Sequence, residues 1–562
     1  MERQACSIAF NLPLKSIMST ALTQPDSDTP TSAEVPEDVQ ENERLSGPDL
    51  NVLEDRVPQW LQGSRVLALW TAVLGLLYLV LSYQPLWHTD IWGHLSYGRW
   101  IWEQGRLPDV EPLMPLSIGM TYIDTAWLSQ LMGYGLYRQF GVSALQMLYA
   151  ASITSASTLL LIGVLRKSNS NISAGFLVIL TFGIVDYQQL LIVRPQLFGL
   201  VAFVGLFTLL TAFRWRTGWW FVVPVLFVLW ANLHGSFIVG LGLLAASCAG
   251  HAIDVFRRTH NWRAVMASRH VRRLFVLTEL AAVAALMNPY GIGLYGEVFA
   301  VAGNANVHDL IEWDPLTLRM SQGKAALLCA LALMFVYRLS PRRVRASEVL
   351  LLVGLGVAAM WTSRMILWWA PVAAYYLAVH AAAIYLRGRK SEMVASPRSG
   401  KWSVVTIGLA WIFFAYTPFG LTVLHGQPKT PEERANKFAK SVSQQTPLMV
   451  TDYLHRHPPQ GLILNTYEWG DFLLWAGPKD LQLFVNSHAH LVPEEVWQDY
   501  LTIVNAGNDW EDKLDRYGVN AIVLDVSDRE ALIKALRSRN EVWRIGYEDN
   551  MSIAFIREQP IL

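Results

Sequence analysis

Residues 236–258 read SFIVGLGLLAASCAGHAIDVFRR, and the architecture of the whole chain follows from the pattern in this stretch. The apolar run 236–256 is long enough for an α-helix to cross the hydrocarbon of a bilayer, which takes about 20 residues. The run ends on Arg257 and Arg258, a basic end of the kind that membrane helices carry on their cytoplasmic side. The stretch therefore predicts a membrane-spanning helix.

The same alternation of apolar runs and short polar connections extends in both directions, over residues 65–424. We predict about eleven transmembrane helices in this region, two pairs of which are separated by only three or four residues. The predicted spans lie near 65–84, 143–165, 172–186, 195–213, 219–232, 236–256, 274–288, 322–339, 346–361, 365–386 and 402–424.

Alternate loops between these spans are basic, and together they carry 19 Lys and Arg against one acidic residue, Glu392. Cytoplasmic loops concentrate Lys and Arg, so the pattern places the N-terminus in the cytoplasm. An odd number of spans then places the C-terminus outside. We predict a multi-pass protein of the inner (cytoplasmic) membrane.

The composition supports a membrane protein. Of the 562 residues, 52% are hydrophobic and 16% are charged, and the mean hydropathy is +0.27. Ordinary soluble domains carry about 25% charged residues, so a soluble globular enzyme is disfavoured. Lys and Arg balance Asp and Glu at 45 each, which gives no sign of a nucleic-acid partner. The three cysteines show no spacing typical of a disulfide framework or a zinc site.

The two ends of the chain differ from this membrane body. Residues 1–64 are polar and, from residue 21 onward, acidic, which predicts a disordered cytoplasmic tail. Residues 430–562 alternate helix and strand patterns, which predicts a soluble α/β domain outside the membrane. The fold class is therefore a polytopic α-helical membrane protein with a C-terminal soluble α/β domain.

Polar and ionisable side chains gather at the outer ends of the predicted spans, mostly in the outer loops 85–125 and 288–321 and in two tight turns. As a helix, the start of the first loop would present Asp90 and His94 on one face and sink an apolar face into the membrane interface. Taken singly, each such residue also fits a cap, a turn or an interfacial anchor. Taken together they predict one polar pocket on the outer face, formed by Asp90, His94, Asp124, Arg194, His234, Glu312 and Arg364.

These residue types suit the transfer of a group from a lipid phosphate to a hydroxyl. A positioned carboxylate is a general base for the hydroxyl, a role that we assign to Asp90 with Asp124 as a rival. The fork of an arginine matches a phosphate leaving group, a role that fits Arg194 and Arg364. His94, His234 and Glu312 complete the predicted substrate-binding set.

With these residues in view, the sequence resembles the GT-C superfamily of membrane glycosyltransferases. The resemblance rests on an acid just after the first span, Asp90 in WHTDIWGH, on the turn Gly105-x-x-Pro108 and on Trp127-Leu128. It resembles most specifically bacterial GT-C-like proteins with an α/β tail, through Arg-Pro-Gln, Asn-x-His-Gly, Asn-Pro-Tyr-Gly and the motif NTYEWGD at 465–471. One departure is Ala126, where the superfamily often has a second acid before Trp-Leu.

The resemblance implies transfer of a sugar from a polyprenyl-phosphate carrier to an envelope acceptor, which is a glycan, lipid or protein, on the outer face of the bilayer. Two alternatives stay open. A non-catalytic relative would bind or assemble envelope polysaccharide, as the missing acid at Ala126 favours, and a transporter is the less favoured third reading. No cofactor is certain, and a divalent metal is left open. The paired histidines His488 and His490 fit a hydrogen-bonding loop better than a zinc site.

Overall fold

The computed structural model describes residues 57–87, 90–387 and 397–561. The chain divides after Pro58, and the elements described below belong to the compact unit Gln59–Leu562. Several predictions lie outside the described residues: the acidic tail up to residue 56, His88 and Thr89 of the first outer loop, and Arg389, Lys390 and Glu392 of the last basic loop.

Helices dominate up to residue 441, and a helix occupies each of the eleven segments predicted as spans. The helices are α1 (Arg65–Ser82), α2 (Asp90–Gln104), α3 (Trp127–Phe140), α4 (Val142–Lys167), α5 (Ile172–Val185), α6 (Tyr187–Leu191), α7 (Gln196–Ala212), α8 (Trp219–Leu233), α9 (Phe237–Thr259), α10 (Trp262–Ala267), α11 (Arg269–Ala285), α12 (Gly293–Ala302), α13 (Ala305–His308), α14 (Ser321–Leu339), α15 (Ala346–Trp361), α16 (Ile366–Tyr385), α17 (Gly400–Ala415), α18 (Pro418–His425) and α19 (Pro431–Ser441).

Only some of these helices have the length that a full crossing needs. Among the described residues, five helices are long and apolar enough to span a bilayer, or six if the bent pair α17–α18 is one span. Others, such as α5 and α8, are apolar but only 14 and 15 residues long. The number of spans therefore stays a prediction.

Two segments differ from the sequence prediction. The last predicted span, 402–424, bends by 86° between α17 and α18, because Pro418 starts the second helix and lacks the N–H that would continue the first. The predicted disordered tail extends to residue 64, but Gly63–Ser64 (β1) pair with Arg398–Ser399 (β2) as antiparallel strands. The ordered chain therefore begins before residue 64.

The C-terminal part is an α/β domain whose five-stranded mixed sheet has the order β4-β3-β5-β7-β6. Strand β3 is parallel to β4 and β5, and β7 is antiparallel to β5 and β6. The strands are β3 (Leu462–Asn465), β4 (Gln482–Leu483), β5 (Val519–Asp525), β6 (Trp543–Glu548) and β7 (Ser552–Arg557), and the helices are α20 (Leu448–Arg456), α21 (Gly470–Ala476), α22 (Glu494–Val504), α23 (Trp510–Arg516) and α24 (Glu530–Arg537).

The helix α2 joins the α/β domain to the apolar helices. Trp92 of α2 is buried against three aromatic rings, with centroid distances of 5.2 Å to Phe438, 5.7 Å to Phe472 and 6.2 Å to Trp475. Nine of the 15 residues of α2 are buried, and they lie on every side of the helix. The predicted interfacial helix with one face in lipid is therefore wrong, because the C-terminal domain covers part of α2.

Candidate functional site

Four of the predicted site residues form a continuous chain of ion pairs. The Nε atom of Arg194 lies 2.5 Å from Oδ2 of Asp90, and its Nη1 lies 2.6 Å from Oε2 of Glu312. The Nη1 atom of Arg364 lies 3.2 Å from the other oxygen, Oε1, of Glu312. Asp90 and Arg194 are each only 8% exposed, so two carboxylates and two guanidinium groups neutralise each other in a largely buried place.

Short local structures bring these four side chains together. Asp90 begins α2, and Arg194 directly precedes Pro195 and helix α7. Glu312 lies in the 3-10 turn Ile311–Trp313, whose Trp313 ring is 5.0 Å from the Arg364 guanidinium. A hydrogen bond of 2.9 Å from Ser363 Oγ to the carbonyl of Glu312 fixes the two turns to each other. Glu312 and Arg364 are therefore held side by side.

The ion pairs set the charge states of their members. Burial opposes the charge of Arg194, but Asp90 and Glu312 raise the pKa of this guanidinium overall. Burial also raises the pKa of Glu312, but the neighbouring Arg194 and Arg364 lower it below its ordinary value. Both groups are therefore ionised at neutral pH, whereas burial lowers the pKa of Arg364 against the opposing effect of Glu312.

A hydrogen-bonded path links His94 to Asp124. The Nε2 atom of Gln130 lies 3.3 Å from Nδ1 of His94 and donates to Oδ1 of Asp124 over 3.0 Å. The same Oδ1 accepts a 2.9 Å bond from the backbone N–H of Ala126. Burial raises the pKa of Asp124 to about 7 and lowers the pKa of His94 to about 4, against an opposing effect of Asp90.

His234 lies in the tight turn between α8 and α9, where its Nδ1 accepts a 3.0 Å bond from the backbone N–H of Ser236. Burial, followed by the charges of Arg364 and Arg194, lowers its pKa to about 3. Asn232 fixes this turn by accepting a 3.0 Å bond from the indole of Trp127. The structure thus places His234 within electrostatic reach of the two arginines of the ion-pair chain.

The α/β domain adds residues that the sequence analysis did not assign to the site. The ring of His488 lies 6.0 Å from that of His94 and 4.6 Å from that of Tyr97. Burial and the neighbouring His94 lower the pKa of His488 to about 3. Burial and then the charges of Asp90 and Glu312 raise the pKa of Tyr467. In the sequence, only the motifs at 465–471 and 486–490 pointed to these residues, and the motifs did not indicate which residues they would contact.

The motif NTYEWGD holds this part of the domain in shape. Asn465 donates a 2.9 Å bond to the carbonyl of Val485, and its oxygen accepts a 3.2 Å bond from the N–H of Phe484. Asp471 lies in the first turn of α21 and accepts a 3.4 Å bond from the N–H of Ser487, and Glu468 pairs with Arg529 at 3.5 Å.

A small apolar cavity of about 40 Å³ opens beside the ion-pair chain. Arg194, His94 and Gln130 contribute polar groups at its wall, and the rest is mainly aliphatic and aromatic, from α2, α4 and α7. Leu145, Tyr149 and Phe198 are examples. The wall therefore presents apolar surface directly beside a guanidinium group.

The described residues do not fit a divalent metal at this place. Among them, no group of three or more His, Cys, Asp or Glu side chains is arranged to hold a metal ion. Of the carboxylates of the site, Asp90 and Glu312 face guanidinium groups, and Asp124 accepts from Gln130 and from the N–H of Ala126. His488 is buried and His490 is half-buried, and their rings are 5.6 Å apart.

No family model and no curated protein matches the chain. Solved structures do. The archaeal oligosaccharyltransferase AglB from Archaeoglobus fulgidus, in complex with an inhibitory peptide and a dolichol-phosphate, is 13% identical, with a TM-score of 0.48 over 83% of this chain and 72% of its own. ArnT from Cupriavidus metallidurans bound to undecaprenyl phosphate is 12% identical, with a TM-score of 0.46 over 87% of this chain and 97% of its own. A likeness at this level of identity concerns the fold alone.

Proposed function

We propose that this chain transfers a sugar from a polyprenyl-phosphate carrier to an acceptor hydroxyl on the outer face of the membrane. One observation supports it most directly: the chain Asp90–Arg194–Glu312–Arg364 lies beside an apolar cavity, with Arg194 belonging to both. The isoprenoid of the donor lies against this apolar lining and continues into the bilayer, and its phosphate meets the arginines. Bidentate pairing with phosphate is the particular property of the arginine fork.

Donor binding also prepares the base. In the structure the carboxylate of Asp90 is engaged by Arg194 at 2.5 Å, which makes it a weak proton acceptor. A phosphate that pairs with Arg194 competes with Asp90 for the guanidinium. The released carboxylate then loses its stabilising partner, and its basicity rises at the moment when the donor is in place.

The reaction then proceeds in one displacement. The acceptor hydroxyl gives its proton to Asp90, and its oxygen forms a bond with the anomeric carbon of the sugar. The bond from that carbon to the phosphate oxygen breaks, and the polyprenyl phosphate leaves with the electron pair, held by Arg194 and Arg364. A single base and a single displacement invert the anomeric configuration, unlike retaining hydrolases, which use a carboxylate pair.

Asp124 remains the rival base. Its pKa of about 7 is close to a neutral operating pH, where a general base is most effective. Its path through Gln130 to His94 links it to the helix that carries Asp90. The two acids therefore make different predictions about which substitution stops transfer.

The decisive experiment compares Asp90→Asn and Asp124→Asn in a deletion strain, with lipid-linked sugars and envelope glycans measured by mass spectrometry. We expect Asp90→Asn to abolish transfer and to let the lipid-linked sugar accumulate, while the protein stays in the membrane. Glu103→Gln, which removes an exposed carboxylate from the same helix, is the control and should retain activity. Full activity of Asp90→Asn would refute its role as the base.

The same experiment separates a second candidate, a non-catalytic protein that binds lipid-linked envelope sugar. The engagement of Asp90 by Arg194 and the alanine at position 126 favour this reading. If the unsubstituted protein binds the lipid-linked sugar but transfers none of it to any envelope fraction, the binding function stands and the catalytic proposal fails.

A further inference from the structure

A second cluster of arginines lies at the opposite end of helix α9 from the Asp90 site. The helix begins at Phe237, next to the turn that holds His234, and ends at Thr259, about 30 Å away at about 1.5 Å per residue. Near this far end there is an open cavity of about 660 Å³. Its wall includes Arg258 of α9 and Arg342, Arg343 and Arg345 of the loop before α15.

The positive charge of this cavity is not matched by acids. Asp254 is the carboxylate on its wall, and it lies 3.7 Å from Arg343 and accepts a 3.4 Å bond from the N–H of Ala346. Within the described ranges, no ion pair engages the guanidinium groups of Arg342 and Arg345. More cationic than anionic side chains therefore face the open space, and an anion bound there would be stabilised electrostatically.

The start of helix α15 adds to this positive potential. Arg345 immediately precedes the helix, which runs from Ala346 to Trp361. Close packing brings this start to α9, because a Cβ atom added at Gly250 would lie 2.3 Å from Cα of Ser347. The dipole of a helix N-terminus favours an anion, and here part of that potential is met by Asp254, which accepts from the N–H of Ala346, and by Glu348 of the first turn.

The cavity continues inward as a narrow extension of about 40 Å³, which shares Arg342, Arg345, His251 and His270 with the open part. Its deeper lining is mixed, with apolar residues such as Trp219 and Leu351 beside the acidic Glu348. The extension is too small for an acyl chain, so a phospholipid at this place would keep its head group in the open cavity and its chains in the bilayer.

We propose that this cavity binds the phosphate group of an anionic lipid from the leaflet opposite the transfer site. By the distribution of basic loops this is the cytoplasmic leaflet, where basic pockets between helices bind anionic head groups. A soluble phosphate offers the same chemistry in the open cavity but has no chains to place in the bilayer. The site is separate from the proposed transfer, so neither proposal depends on the other.

The test measures lipid binding by native mass spectrometry on the purified full chain in detergent. The probes are dioleoyl-phosphatidylglycerol, dioleoyl-phosphatidylcholine as the zwitterionic comparison, and inorganic phosphate as competitor. We expect the double variant Arg342→Gln/Arg345→Gln to bind phosphatidylglycerol about tenfold more weakly, because two charge-assisted contacts are lost. The matched control Arg216→Gln/Arg272→Gln removes two exposed arginines of the basic loops outside the cavity wall and should change binding less than about twofold.

Several outcomes decide the proposal. Equal weakening in both double variants, or equal binding of the two lipids, overturns it. Displacement of the lipid by millimolar phosphate, with binding that still depends on Arg342 and Arg345, supports the phosphate site but overturns its assignment to a lipid. Arg342→Lys/Arg345→Lys keeps both charges and should retain part of the binding. If it binds no better than the glutamine variant and both melt at lower temperature, the loss reflects misfolding and the proposal falls.

Discussion

At the scale of single residues, the site depends on charges that balance one another inside the protein. Arg194 lies between Asp90 and Glu312, at 2.5 and 2.6 Å, and is nearly inaccessible to solvent. Water cannot replace a partner that is removed from such a place, so the remaining charge stays uncompensated. The contribution of each residue to stability therefore depends on all four members of the ion-pair chain and not on a single pair.

Removal of Arg194 alone should be far more damaging than its removal together with Asp90. We expect Arg194→Gln to destabilise the protein by about 3–5 kcal/mol, the usual cost of breaking a buried ion pair. The double variant Asp90→Asn/Arg194→Gln should recover part of this loss, because it neutralises one of the two carboxylates that face the absent guanidinium, while Glu312 keeps its ion pair with Arg364. Thermal melting of the purified proteins in detergent measures both effects. Strictly additive losses would contradict the charge balance described here.

The raised pKa of Asp124 predicts how stability depends on pH. A carboxyl group with a pKa of about 7 in the folded state and about 4 in the unfolded state binds more protons when folded between these values. Its contribution to stability is therefore lost as the pH rises from about 4 to about 7. Asp124→Asn should remove this loss. The melting temperature of the variant should therefore rise relative to that of the unsubstituted protein as the pH increases. Parallel melting curves across pH 4–8 would argue against it.

At the scale of elements, α2 is the helix on which the site depends. It carries Asp90 and His94, and it is packed between α3 and the helix α21 of the C-terminal domain. Gly93 allows the close approach to α21, because a Cβ atom at this position would lie 2.4 Å from Oδ1 of Asp471. The glycine therefore sets the distance between the domain and the first residues of the site.

Gly93→Ala should push α21 away from α2 and lower both transfer activity and melting temperature. The expected cost is about 1–3 kcal/mol, as for other overpacked positions. Gly183→Ala in α5 is the control, because a Cβ atom there meets no atom within 4 Å and alanine favours the helix. Equal melting temperatures for the two variants would show that the contact between α2 and α21 tolerates the methyl group.

At the scale of the whole molecule, the predicted charge asymmetry assigns the two ends of the bundle to opposite sides of the membrane. Single cysteines introduced as Asp528→Cys in the α/β domain and Arg263→Cys in a basic loop replace exposed residues. A membrane-impermeant thiol reagent added to intact cells should label the first and spare the second. The unsubstituted chain, with its own three cysteines, gives the background. The reverse labelling would invert the proposed topology.

The sequence predicted the positions of the apolar helices well, and the reason is physical. Each such helix satisfies its backbone polar groups internally and repeats its apolar side chains with the helical period of about 3.6 residues. The local sequence is therefore enough to predict where the helix lies. The predicted α/β domain was recognisable for the same reason, from the alternation of strands such as β3 and β5. The bend at Pro418 and the burial of most of α2 depend on the rest of the fold and were not predicted.

The sequence by itself determined the residue types of the site and the region to which they belong, because ionisable groups near apolar runs are costly and so stand out. Only the tertiary structure decided their pairing: Asp90 with Arg194, Arg194 with Glu312, and Glu312 with Arg364 come from segments up to 274 positions apart. It also placed His488 and Tyr467 of the α/β domain at the site. Such contacts arise from the packing of whole elements, which no local pattern of residues records.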